Sequence, residues 1–92
     1  MTRLEFLQRL KQIVKKIDEF YVELKAKFPN CENNLEKQSF IYYSQTIKAD
    51  CMAKIDQYSR MSDDEFARTA SIVNFHIKQI ETSYKAIDLD FK

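Results

Sequence analysis

The sequence predicts an all-α protein, an antiparallel three-helix bundle with coiled-coil-like heptad seams, and three observations lead there. Apolar residues recur at alternating steps of three and four along most of the chain, the period of one helical face. There is no glycine and a single proline, Pro29, so the usual chemistry of hairpin turns is missing. Acidic residues precede basic ones by four positions at Glu5 and Arg9, Glu23 and Lys27, Asp50 and Lys54, Asp56 and Arg60, Asp64 and Arg68, and Glu81 and Lys85. That orientation supports a helix by about 0.2 to 0.5 kcal/mol per pair.

The first helix is predicted over residues 3–28. Leu7, Leu10, Val14, Ile17, Tyr21, Leu24 and Phe28 form its stripe, and a flanking ridge of Phe6, Ile13 and Phe20 widens it enough for two neighbours. Pro29 ends the helix, because the residue before a proline is pushed out of the helical region. The polar run from Asn30 to Asn34 forms the connection, and its asparagines can take the place of glycine at turns.

The second helix is predicted over residues 34–60, capped by Asn33 with Glu36 three residues later. Its core stripe is Phe40, Ser44, Ile47, Cys51, Ile55 and Tyr58. The third, over residues 62–90, opens on the sharpest boundary in the chain. Ser62 and Glu65 make a capping box, Met61 and Phe66 a hydrophobic staple, and Asp63 and Asp64 favour the positive end of the helix dipole. The stripe Phe66, Ala70, Val73, Ile77, Ile80, Tyr84, Ile87 and Phe91 then runs with no break. Residues 1–92 form one helical domain, since a chain of this length can build only one core.

Composition excludes several function classes. A formal charge of +1 gives no strong field for drawing in nucleic acid or an anionic membrane. The charged first twenty residues do not resemble a signal peptide, and the longest strictly apolar run, Phe40 to Tyr43, is far too short to span a bilayer. A cytoplasmic location with reduced thiols is expected. Cys51 lies in an apolar stripe and reads as a small buried hydrophobe, while Cys31, in the polar connection, is expected to be more exposed. His76, the only histidine, has no second ligand at helical spacing and reads as a residue bordering the core. Helix capping accounts for Asp63, Asp64 and Glu65. No catalytic residue, metal ligand, cofactor site or small-molecule substrate is assigned, and the expectation is a non-enzymatic protein.

Two surfaces are candidates for partners. On the third helix, Ile72, Phe75, Gln79, Thr82 and Leu89 follow a second alternation nearly opposite the core stripe, where a bundle helix should be polar. Tyr42, Thr46, Ala49 and Ala53 make a weaker second face on the second helix, with side chains small enough for another helix to approach. These nine residues are the candidate interface of a protein interaction module (an adaptor, inhibitor or immunity-type regulator) that self-associates, as a dimer first of all, or binds another protein. The alternative is a small dimeric nucleic-acid-binding regulator using Arg9, Lys11, Lys15, Lys16 and Lys27. Seven basic residues stand against four acidic ones in the first helix, although on a helical wheel they divide between two sides.

Overall fold

The computed structural model describes residues 1–91, apart from the side chains of Glu32, Asp90 and Phe91. Its elements are α1 (Arg3–Lys27), a 3-10 turn (Cys31–Asn33), α2 (Leu35–Ser59), α3 (Asp63–Arg68) and α4 (Ala70–Phe91). The protein is thus an all-α helical bundle with four α-helices among the described residues, one more than the sequence predicts.

The additional boundary lies at Thr69. Its backbone (φ −104°, ψ 14°) leaves the regular helix, and both its N–H and its hydroxyl donate to the carbonyl of Phe66, at 3.0 and 2.8 Å. A threonine hydroxyl that competes for a helical carbonyl bends or ends the ladder. The stripe predicted to run unbroken from Phe66 is therefore interrupted, and Ala70 is exposed rather than buried. Phe91, the last residue of that stripe, lies outside the described side chains.

Caps fix the other ends. The Thr2 side chain accepts from the Glu5 N–H at 3.1 Å to open α1, and Ser62 accepts from Glu65 N–H at 3.2 Å to open α3. For α2 the cap is Asn34, not Asn33: the Asn34 side chain accepts from the Lys37 N–H at 3.2 Å. Asn33 is occupied by the 3-10 turn, where its N–H donates to the Asn30 carbonyl. That turn follows from Pro29, which forces the chain to reverse before a new helix can begin.

Two buried clusters hold the helices together. The larger contains Phe6, Leu10, Ile13 and Ile17 of α1, Cys51 and Tyr58 of α2, Phe66 of α3, and Val73, Ile77 and Ile80 of α4. Phe6 stands edge-on to Tyr58 at 5.0 Å between ring centroids and lies 5.8 Å from Phe66. The smaller cluster joins Phe20, Leu24, Cys31 and Ile87. On α1 the deepest line is thus Phe6, Leu10, Ile13, Ile17, Phe20 and Leu24, whereas Leu7, Val14 and Tyr21 are only half-buried. Leu10, Ile17 and Leu24 are buried as the stripe predicts and the ridge of Phe6, Ile13 and Phe20 is buried beside them, while Leu7, Val14 and Tyr21 fall toward one edge. Phe28, predicted in the core, is 39 % exposed: the helix has already ended, and its ring is covered instead by the Lys37 ammonium, 4.2 Å from the ring centroid.

Cys31 corrects the reading of the connection. It is buried, because the 3-10 turn folds its side chain back onto Leu24 and Phe20 as a plug for that end of the core. Cys51 is buried in the middle of the bundle as its place in the stripe predicts. The Ser44 hydroxyl, buried in the same stripe, donates to the Ile41 carbonyl at 3.0 Å, which removes the cost of an unpaired polar group.

The molecule is a rod of 48 × 19 × 16 Å. Its radius of gyration of 14.9 Å exceeds the ~12 Å of a compact globule of this length. Every helix therefore keeps a large share of its surface on the outside, and the composition of those outer faces decides what the rod can meet.

Candidate interaction surface

All nine residues of the candidate interface lie on the outside of the rod. Tyr42, Thr46, Ala49 and Ala53 are exposed along α2, and Ile72, Phe75, Gln79, Thr82 and Leu89 along α4. The large apolar members are well exposed: Tyr42 68 %, Ile72 55 %, Phe75 64 % and Leu89 74 %. Scattered apolar residues are ordinary on a protein surface, but a run of them along one helix is not.

Several polar groups on these faces are already satisfied by their own helix. The Thr46 hydroxyl donates to the Tyr42 carbonyl at 2.9 Å, and the Ser83 hydroxyl to the Gln79 carbonyl at 2.9 Å. Thr46 then behaves at the surface as a small, largely apolar residue. The charges bordering the α2 face are paired as well, Lys54 with Asp50 at 2.6 Å and Arg60 with Asp56 at 3.1 Å. Covering this region would strip water from partnered groups rather than from free ions.

Between α2 and α4 runs a groove of about 420 Å³ lined by Thr46, Asp50 and Lys54 on one side and His76, Gln79 and Ser83 on the other, floored by Ile47 and Ile80. It brings Thr46 and Gln79, from the two predicted faces, to a single depression. His76 is half-buried on its wall, with its ring 6.0 Å from that of Phe75. Two exposed residues near this region escaped the sequence reading. Tyr43 packs edge-on against Tyr42 at 5.6 Å, and Met52 lies on the other flank of α2. Tyr43 could have been found from its place one residue outside the predicted seam.

The cations of α1 are arranged differently. Arg9 is ion-paired with Glu81 of α4, and Lys27 with Glu23 at 3.4 Å. Lys16 lines the α1/α4 groove beside Arg9, Glu81, Lys85 and Asp88. Lys15 stands by Asp18, Glu19 and Glu23 on the outer side, along with the exposed Val22. Arg9, Lys15, Lys16 and Lys27 thus stand among carboxylates, and Lys11 is exposed on α1.

Both thiols are free and buried. Burial, reinforced by the Asp50 carboxylate and only partly offset by Lys54, pushes the Cys51 thiol up to about 11. A thiol held protonated is a poor nucleophile. Among the described residues no cluster of three or more histidine, cysteine or carboxylate side chains could hold a metal ion, and no helix is long and apolar enough to cross a membrane.

The fold places the chain in the class of all-α helical bundles. No protein-family model, curated protein or solved structure matches it.

Proposed function

We propose that the chain is a non-enzymatic helical interaction module of the cytoplasm, an adaptor, inhibitor or regulator, that self-associates through the outer faces of α2 and α4. The observation that carries this reading is the exposed run of Ile72, Phe75 and Leu89 along α4 beside the small-residue face of α2. Exposed apolar side chains such as these are stabilised by being covered, at about 25 cal/mol per Å² of apolar surface removed from water.

The architecture behind it is an antiparallel three-helix bundle in which α3 and α4 together make the third arm, with heptad seams facing inward. Several pairs support that topology. Lys48 meets Asp18 at 2.7 Å, and Arg3 reaches Asp63 at 3.1 Å and the Ser59 carbonyl at 3.0 Å, so the start of α1 meets the end of α2. Tyr58, late in α2, meets Phe66 at 6.1 Å, whereas Ile87, late in α4, shares a cluster with Cys31 and Phe40.

Light scattering on the wild type and on Phe75→Glu tests the proposal. The expected result is an oligomeric wild type and a folded, monomeric variant. Equal masses for the two would reject Phe75 as part of the contact, and a monomeric wild type would reject self-association.

A further inference from the structure

We infer that α4 is a hinged arm, which swings away from the α1/α2 pair as one unit about Thr69 while α3 stays in place. The inference concerns the single chain and does not rest on how its outer faces are used.

The hinge has a defined position. At Thr69 the N–H and the hydroxyl both donate to the Phe66 carbonyl, and the α-helical ladder resumes with the Val73 N–H on the Thr69 carbonyl at 2.9 Å. A residue between two elements can absorb a change in φ and ψ without breaking either of them. What precedes Thr69 is anchored independently of α4. The Phe66 ring packs against Phe6 and Tyr58, and Asp63 is paired with Arg3 at the start of α1. Thus α3 belongs with α1 and α2, and the chain passes from the anchored part to the arm at Thr69.

The packing of the three long helices differs in the same sense. The helices α1 and α2 approach each other along more of their length than either approaches α4, which has the sparsest tertiary packing of the three. It is flanked by an open groove on each side, of about 440 Å³ against α1 and about 420 Å³ against α2. Its apolar residues are also divided between two faces. Val73, Ile77, Ile80 and Ile87 hold it to the core, whereas Ile72, Phe75 and Leu89 are exposed and add little to that hold. Toward α1 it contributes the Arg9–Glu81 pair, which is partly exposed and screened by solvent.

A segment of low contact density opens at a lower free energy than the whole domain. Here the segment has a break at its base and a neighbour, α3, that remains anchored without it. Opening uncovers the inner face of α4 and the apolar trough of α1 and α2 in the same step. The chain therefore holds a second, concealed apolar surface.

Hydrogen exchange of the full chain, followed by mass spectrometry in dilute solution over a range of low urea concentrations, tests the arm. The amides from Ile77 to Ile87 are expected to exchange together, at least about tenfold faster than those in the middle of α1 and α2. Their rates should depend more weakly on urea, because opening one arm exposes less surface than global unfolding. In Thr69→Ala the competing hydroxyl is gone, and α4 can leave only by pulling Phe66 from the rings of Phe6 and Tyr58. The difference between α4 and the other helices should then narrow. Equal or greater protection in α4 of the wild type would overturn the arm, as would rates that rise steadily from Ser71 to Leu89, the signature of fraying from one end. An unchanged difference in Thr69→Ala would overturn the hinge at Thr69.

Discussion

Arg9 of α1 is ion-paired with Glu81 of α4, although Glu5 stands four residues before Arg9 and Lys85 four residues after Glu81. The tertiary partner wins over the local one on both helices. The pair ties the first helix to the last and uses a cation that would otherwise be available to a phosphate. Both side chains remain partly exposed, at 43 and 32 %, so solvent screens the attraction. A double-mutant cycle with Arg9→Gln and Glu81→Gln, followed by urea unfolding, should give a coupling energy of about 0.2 to 1 kcal/mol.

Phe6 is the better place to look for large effects. It is fully buried where α1, α2 and α3 meet, against the rings of Tyr58 and Phe66. Phe6→Ala removes those contacts and leaves a cavity, at an expected cost of about 3 to 5 kcal/mol. For a domain whose total stability is on the order of 5 to 15 kcal/mol, that is a large share. Chemical denaturation should show a much lower midpoint than for the outward-facing Val22→Ala.

The caps predict a sharp contrast between neighbours. Asn34→Ala removes the acceptor for the Lys37 N–H and should cost about 1 kcal/mol, as should Ser62→Ala at the start of α3. Asn33→Ala touches no helix cap and should cost clearly less. Thermal melts of the three variants check the assignment.

Alkaline pH should destabilise the fold through Cys51. Its thiol is raised to about 11 from an ordinary value of 9.0, chiefly by burial. Between these values the unfolded chain has lost the proton and the folded chain has kept it. The group's contribution is therefore fully present below pH 9.0 and is lost as pH rises toward 11, amounting to about 2 to 3 kcal/mol. Tyr84, raised by burial and by Asp88, Glu19 and Glu23, acts in the same direction. Stability measured against pH should fall less steeply for Cys51→Ala than for the wild type across this window.

Much of the fold was legible because its punctuation is local. Pro29 and the Ser62–Glu65 box mark two ends from chemistry that acts within a single turn. The depth order on α1 was not legible: Phe6 and Leu7 both lie on a wide apolar stripe, and only the positions of α2 and α4 decide which points between them. Thr69 gave little warning, since a threonine inside a helix is common and its hydroxyl acts only where the helix is already free to bend. Cys31 was misjudged because its polar neighbours imply exposure, whereas the 3-10 turn that buries it is a consequence of chain reversal after Pro29. The outer faces of α2 and α4 were readable from periodicity alone, but the groove that brings Thr46 and Gln79 together needed the tertiary arrangement.

Everything proposed about the surface depends on α2 and α4 being covered in the assembled protein. Sedimentation equilibrium of the unaltered chain over a dilution series tests this most directly. The expected result is a mass near twice 11.0 kDa that declines toward 11.0 kDa on dilution. A mass of 11.0 kDa at every concentration would contradict it.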